Sequence, residues 1–153
     1  TIARVGQSFR LPAAFDALTW YGKGPWETYA DRKDAALIGL YTSSVAEQHV
    51  PFAVPCECGG HEDTRFAALS DGTHIVQIVG SDDFHFSALP YSIAEYRKAT
   101  YEEELPEQTT GTWLILDVAH AGLGGDTGWT KNIHPEYRVC KGRYSYTFRF
   151  HFA

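Results

Sequence analysis

The stretch YSYTFRFHF, residues 144–152, alternates aromatic and polar side chains. The aromatic members occupy every second position: Tyr144, Tyr146, Phe148, Phe150 and Phe152. Because successive side chains of a β-strand point to opposite faces, this period of two predicts a strand that is buried on one side. The C-terminal segment therefore favours a protein built from β-sheet.

Seven further segments have the composition of short strands, and turn pairs such as Asp71-Gly72 and Lys141-Gly142 lie between some of them. They are residues 8–11, 15–21, 36–42, 65–70, 74–79, 84–88 and 112–118. Alternating strands that are joined by tight turns usually pair with their neighbours in antiparallel fashion. One helix is predicted after Ser92, since Ser92 and Glu95 have the spacing of a capping box. Ser44 and Glu47 have the same spacing and predict a second short turn. We therefore expect an all-β fold, an antiparallel β-sandwich with one or two short helices.

Length and charge exclude several classes of protein. The chain has 153 residues, the size of one domain, and a formal net charge of -6. It has no run of Lys or Arg longer than a pair such as Arg97-Lys98, so nucleic acid and anionic membranes are not expected partners. No apolar run approaches the roughly 20 residues of a membrane helix, and we expect a soluble protein, cytoplasmic or periplasmic. The absence of methionine leads us to expect a piece excised from a longer polypeptide.

The loop AGLGGDTGW, residues 121–129, contains four glycines after a predicted strand. A phosphate-binding loop would need a helix directly behind the glycines, and the residues that follow do not favour one. The glycines instead indicate a tight loop, which the side chain of Asp126 can stabilise through hydrogen bonds. Trp129 at its end either packs into the core or faces outward as a flat surface for a sugar ring. His120, just before the loop, is a candidate ligand contact.

The stretch WYGKGPWETYADRK, residues 20–33, is rich in aromatic side chains. Its rings are expected to pack together, although an exposed patch is the alternative. Asp31 and Arg32 could border a binding cleft or form an ordinary surface ion pair.

Catalytic and metal-binding patterns are weak. Cys56 and Cys58 have the wrong spacing for a closed zinc site, even with His61 nearby, and free thiols are expected. No GxSxG elbow is present, and Cys140 has no histidine at an interpretable spacing. The sequence thus nominates no catalytic residue and no metal ligand.

Several of these stretches together resemble the C-terminal domain of the bacterial β-galactosidases of glycoside hydrolase family 2. The similarity runs in the same order from about residue 11 to residue 150, and its matching stretches are WYGKGPWETYADRK (20–33), SSVAEQHVPFAVPCE (43–57), EDTRFAAL (62–69), FSALPYSIAEYRKATYEEELP (86–106), GLGGDTGW (122–129) and HPEY with GRYSYTFRF (134–150). The resemblance implies a β-supersandwich of the galactose-mutarotase-like kind, of which residues 1–153 would be the C-terminal portion. It also implies retaining hydrolysis of terminal β-D-galactosyl residues, as in lactose, by the parent enzyme.

In that family the catalytic glutamates and the ligands of the magnesium and sodium ions lie in other domains. The resemblance therefore implies a non-catalytic domain without a cofactor of its own, whose partners are a galactoside substrate and the remaining domains of the enzyme. The tryptophan of the family's GGDxSW motif stacks against the substrate on its aglycone side, and Trp129 occupies that position here. Trp129, Asp126 and His120 are therefore the predicted substrate-binding residues.

Two other functions stay open. The first is a stand-alone carbohydrate-binding module that uses Trp26 or Trp129 as a stacking surface. The second is a purely structural interface domain.

Overall fold

The computed structural model describes residues 2–124 and 132–153. Its strands are β1 (Arg4–Leu11), β2 (Ala17–Gly24), β3 (Leu37–Ser44), β4 (Gly60–Ser70), β5 (Ile75–Leu89), β6 (Thr112–His120) and β7 (Phe148–Phe152). The described residues also contain one α-helix, α1 (Ile93–Lys98), and three 3-10 turns. The turns are Ala46–Gln48, Glu102–Glu104 and Pro135–Tyr137. The all-β prediction with short helices is confirmed.

All strand pairs are antiparallel, and the sheet order is β1-β6-β5-β4-β2-β3. The 15-residue strand β5 organises the sheet, because β4 follows one of its edges while β7 and β6 share the other. β7 pairs with residues 76–80 of β5, and β6 pairs with residues 85–89. The sheet therefore forks along β5.

The core covers one face of this sheet. Its largest fully buried members are Trp20, Phe86, Leu18, Leu69, Ile78, Leu114 and Leu116. Across the fork, the rings of Phe9 and Phe150 meet edge to face with centroids 5.2 Å apart. A second, smaller cluster joins Leu89 at the end of β5 to Tyr96 of α1. Burial of this apolar surface is the main force that holds the fork together.

The predicted C-terminal strand is shorter than the alternation suggested. The strand consists of residues 148–152, and residues 144–147 precede it. The hydroxyl of Tyr144 donates to the carbonyl of Cys140 at 2.7 Å, so this ring takes part in a local turn and is 38% exposed. Phe148 and Phe150 pack against the core, whereas Phe152 is 77% exposed. The aromatic alternation therefore predicted the strand correctly but overestimated its length and its burial.

Two predicted strands, residues 74–79 and 84–88, form the single strand β5. The acidic residues between them stay within the strand because irregular register against β4 absorbs them. On the other edge, the amide N–H of Ser81 donates to the carbonyl of Thr147 at 2.9 Å, which extends the pairing of β7.

The predicted capping box at Ser92 and the predicted short turn after Ser44 are both confirmed. Ser92 accepts a hydrogen bond from the amide of Glu95, and the carboxylate of Glu95 accepts one from the amide of Ser92. Ser44 and Glu47 exchange the same two bonds at the 3-10 turn 46–48. Within the described residues, no helix is long and apolar enough to cross a membrane.

Candidate functional site

The root of the glycine loop, residues 121–124, leaves the end of β6 and is held by one aspartate. The carboxylate of Asp31 accepts hydrogen bonds from the amides of Leu123 at 2.9 Å and Gly124 at 2.6 Å. Gly122 packs so closely that a Cβ there would lie 2.5 Å from Cγ of Asp31. Gly124 has a φ of +84°, which favours glycine. The first part of the loop is thus anchored to the segment between β2 and β3.

Asp126 and Trp129, two of the predicted substrate-binding residues, lie outside the described residues. Their roles stay predictions. The third, His120, ends β6, and its side chain is only 3% exposed. Its Nδ1 is 2.7 Å from the carbonyl of Ala121, and its Nε2 is 3.6 Å from Oε1 of Glu57. His120 therefore lies at the loop root with both ring nitrogens near protein oxygens, and its predicted contact with substrate is untested.

A buried charged cluster lies directly behind His120. The guanidinium of Arg4 binds both oxygens of Asp117, with Nη2–Oδ2 at 2.6 Å and Nε–Oδ1 at 3.1 Å. The same guanidinium binds Oε2 of Glu57 through Nη1 at 3.0 Å. Nδ1 of His85 is 3.0 Å from Oδ2 of Asp117. Arg4 thus joins two carboxylates that face two different histidines.

The ionisation of the cluster follows from these contacts. Burial alone raises the pKa of Asp117, but hydrogen bonds from His85 and Arg4 outweigh burial and hold the pKa below its usual range. The pKa of Glu57 is lowered in the same way, since His120 and Arg4 oppose the effect of burial. Burial lowers the pKa of His120, yet the neighbouring Glu57 carboxylate raises it by more. The contacts therefore favour two ionised carboxylates, with Arg4 between them and a His120 ring whose protonated form Glu57 stabilises.

Tyr29 packs against both histidines of the charged cluster. It is completely buried, and its ring centroid lies 5.6 Å from that of His85 and 5.4 Å from that of His120. Its hydroxyl accepts a hydrogen bond from the amide of Gly60 at 3.2 Å. Burial raises the pKa of Tyr29 above its ordinary value, so the hydroxyl stays protonated. The ring shields the histidines from water and connects them to the start of β4.

A pocket of about 330 Å³ opens beside the loop root. Its walls include Ala3, Glu57, His120, Leu123 and Ile133. Oε1 of Glu57 is buried and has no hydrogen-bond partner among the described residues. The pocket therefore combines an apolar wall with a carboxylate oxygen that can accept a hydrogen bond.

The aromatic stretch 20–33 divides between core and surface. Trp20 and Tyr29 are buried, as expected for packed rings, whereas Trp26 is 78% exposed. Arg32 forms an ion pair with Glu27, and the carboxylate of Asp31 anchors the loop root. Asp31 does line a surface pocket together with Arg32, so the predicted border of a cleft is present.

The expectation of free thiols at Cys56 and Cys58 is confirmed, and Cys140 is also free. Burial raises the pKa of Cys58 to about 11, which keeps the thiol protonated. His61 contacts Gln48 with Nε2–Oε1 at 2.6 Å and packs against Trp20. Across residues 2–124 and 132–153, no group of three or more His, Cys, Asp or Glu side chains could hold a metal ion.

Neither Arg4 nor Asp117 was predicted to be a site residue. The two residues are 113 positions apart in the chain, and neither belongs to a recognisable motif. His85 was not a predicted site residue either, and it is buried with Nδ1 3.0 Å from Oδ2 of Asp117. The only local signal was the alternation of β6, which cannot distinguish a buried aspartate from an exposed one.

The chain is similar to known proteins over nearly its whole length. The family model described as beta galactosidase small chain matches residues 1–150. A β-galactosidase of Vibrio cholerae is 38% identical over 145 residues, and one of Priestia megaterium is 39% identical over 147 residues. Each alignment covers 95% of this chain and 14% of the relative. A relative named beta-galactosidase 2, from Enterobacter cloacae, is 40% identical over 146 residues, with the same coverage.

The chain thus spans about 14% of the length of these relatives. The match extends from β1 into β7 and includes the loop root and the charged cluster. The chain belongs to the β-galactosidase small chain family.

Proposed function

We propose that this chain is a non-catalytic domain of a β-galactosidase, and that it contributes Trp129 as an aromatic wall of the substrate site. The observation that carries the proposal is the family match over residues 1–150, together with relatives that are named β-galactosidases and are about seven times longer. The reaction of the parent enzyme would be retaining hydrolysis of terminal β-D-galactosyl residues such as that of lactose.

The anchored loop root supports this role. A side chain that contacts substrate must be held in position, and precise placement is best supported by rigid elements. Asp31 holds the amides of Leu123 and Gly124, and β6 holds the preceding residues in the sheet. The loop that carries Asp126 and Trp129 therefore starts from a defined point. The pocket beside His120 provides space next to that point for part of a ligand.

The ion pairs of the charged cluster support a non-catalytic role. A retaining glycosidase needs one carboxylic acid and one carboxylate that both reach the substrate. Asp117 has no solvent exposure and is bound by Arg4 and His85. Glu57 is bound by Arg4 through one oxygen. These two carboxylates act as internal ion-pair partners, so we assign the reaction to the rest of the parent polypeptide.

The test uses the full-length parent polypeptide with Trp129→Ala. Loss of a stacked ring should lower kcat/KM for lactose by about tenfold, which corresponds to about 1.4 kcal/mol. Trp129→Phe should retain most of the activity because it keeps a flat apolar ring. Tyr101→Ala is the matched control, since Tyr101 is an exposed aromatic residue far along the chain from the loop.

Unchanged kcat/KM for lactose in Trp129→Ala would reject the aromatic wall. Absence of galactoside hydrolysis by the wild-type parent would reject the enzymatic assignment itself. Circular dichroism of each variant shows whether a loss of activity reflects misfolding.

A further inference from the structure

We propose that the surface pocket beside Trp26 binds a neutral pyranose sugar. The pocket has a volume of about 290 Å³, at the lower end of the range for small-molecule sites. Trp26 forms one wall and is 78% exposed. The inference goes beyond the proposed function, because such a site requires neither hydrolysis nor Trp129.

The exposure of Trp26 needs an explanation that Trp20 does not. Trp20 is six positions earlier in the same stretch, lies on β2 and is 1% exposed. A single exposed apolar residue is common on protein surfaces and carries no meaning alone. Trp26, however, adjoins a concave pocket with polar side chains on its other walls. A flat indole beside fixed polar groups is an arrangement that can bind a ring with one apolar face.

Most charged side chains around the pocket have partners within the protein. The exception is Asp34, which is exposed, so solvent screens its charge. Glu27 binds Arg32 through one carboxylate oxygen and accepts the amide of Gly59 at 2.9 Å through the other. Lys33 pairs with Asp63 at 2.7 Å. Because these charges already have partners within the protein, an ionic ligand would gain little from them. The pocket therefore favours an uncharged ligand.

Hydrogen-bonding groups nevertheless remain exposed at the pocket. The side chain of Arg32 is 48% exposed, and its bond to Glu27 uses only one of its nitrogens. Asp34 also lines the pocket, is exposed, and has no polar partner among the described residues. A pyranose presents a patch of C–H groups on one face and hydroxyls around its edge. Trp26 matches the C–H face, while Arg32 and Asp34 match a hydroxyl acceptor and a hydroxyl donor.

The ion pairs also hold the polar walls in place before a ligand arrives. The guanidinium of Arg32 lies 5.7 Å from the ring centroid of buried Tyr29, which restricts it further. Asp31 lines the same pocket while its carboxylate binds the amides at the root of the glycine loop. The pocket is therefore built on the anchored segment between β2 and β3. Such preorganisation reduces the entropy lost on binding.

The experiment follows Trp26 directly in the full-length polypeptide that carries this chain. The protein is labelled with 5-fluorotryptophan, and the ¹⁹F signal of Trp26 is identified by its loss in Trp26→Phe. The probe is methyl 1-thio-β-galactopyranoside, whose sulfur linkage resists hydrolysis. We expect a saturable shift of the Trp26 signal with a millimolar Kd. Arg32→Ala and Asp34→Ala should each weaken binding by about fivefold or more.

Three controls separate this site from others. The Trp26 shift should persist in Trp129→Ala, which separates it from the proposed wall of the substrate site, and in Tyr101→Ala. Sorbitol, an open-chain polyol without a rigid ring face, should cause no saturable shift. Hydrolysis of lactose by the wild-type protein is measured separately, so a failure of the proposed function is distinguishable from a failure of this site.

Two results would overturn the proposal. The first is the absence of a saturable Trp26 shift up to about 100 mM probe, a concentration that would fill any millimolar site. The second is a Trp26 signal that does not respond to exchange of H₂O for D₂O, because the indole would then be covered by another part of the protein.

Discussion

Asp117 is the residue whose removal should damage the fold most specifically. Its side chain has no solvent exposure and accepts three contacts: two from Arg4, at 2.6 and 3.1 Å, and one from His85, at 3.0 Å. Asp117→Ala would leave a guanidinium that is only 14% exposed without its main counter-charge. Breaking a buried ion pair by removing one partner typically costs about 3–5 kcal/mol.

This cost is large relative to the stability of a typical domain, about 5–15 kcal/mol. For a domain of this length each kcal/mol lowers Tm by about 2–4 °C, so Asp117→Ala should lower Tm by about 6–20 °C. Urea denaturation and calorimetry of the parent protein measure both quantities. Asp34→Ala is the matched control, because Asp34 is exposed and has no polar partner among the described residues, and its change should stay within about 0.5 kcal/mol.

The contribution of Asp117 to the stability of the folded protein should depend on pH in a defined direction. The pKa of Asp117 is lower in the folded protein than its ordinary value of 3.8. Its contribution to stability is therefore present above pH 3.8 and is lost as the pH falls through the lower folded-state pKa. The wild-type protein should lose stability in that acidic window, and Asp117→Ala should lose less there.

A double variant tests the reasoning behind the magnitude. Replacing both partners with apolar side chains of similar size, Arg4→Met with Asp117→Leu, should be far less damaging than Asp117→Ala alone, because no buried charge is left unpaired. A loss of less than about 1 kcal/mol in Asp117→Ala would refute the assignment of a buried, functioning ion pair.

Two further perturbations address the loop root and its neighbouring histidine. Gly122→Ala should destabilise the protein by about 1–3 kcal/mol, because the new Cβ would lie 2.5 Å from Cγ of Asp31. Gly142→Ala is the control and should be tolerated, since the nearest atom to its Cβ would be 3.9 Å away. Equal urea midpoints for the two variants would contradict this packing. The pKa of His120 is raised above 6.5 by Glu57, so its contribution to stability is present below pH 6.5 and is lost as the pH rises through the folded-state pKa. Urea midpoints measured between pH 6 and 9 should therefore fall with pH in the wild type and flatten in His120→Gln; an unchanged slope would show that the pair does not titrate as described.

Local patterns were sufficient for most of the secondary structure. The alternation in residues 148–152 and the capping box at Ser92 each depend on side chains within a few residues of one another. The family resemblance also rests on short contiguous stretches, and it is confirmed by the match over residues 1–150. Such features are readable because a strand or a helix end imposes its own side-chain period.

Element boundaries were less predictable. β5 continues through Gly80 and two aspartates because one of its edges keeps partners at and just before the start of β7. Gly80 pairs with Phe148, and the amide of Ser81 donates to the carbonyl of Thr147. Those partners lie elsewhere in the chain, so the local composition wrongly indicated a break. Tyr144 shows the opposite case, since a side-chain bond to Cys140 takes precedence over a strand extension.

The charged cluster was decided by tertiary structure alone. Arg4 meets Asp117 because β1 pairs with β6, with a register shift after Val5 that places Gly6 opposite Asp117. Any side chain on Gly6 would collide with that aspartate. Likewise, Asp31 became a loop anchor because the segment after β2 packs against the end of β6. The sequence by itself determined the β class and the family, since those depend on neighbouring residues. Sheet register determined which side chains form the site, because it brings residues more than one hundred positions apart within hydrogen-bonding distance.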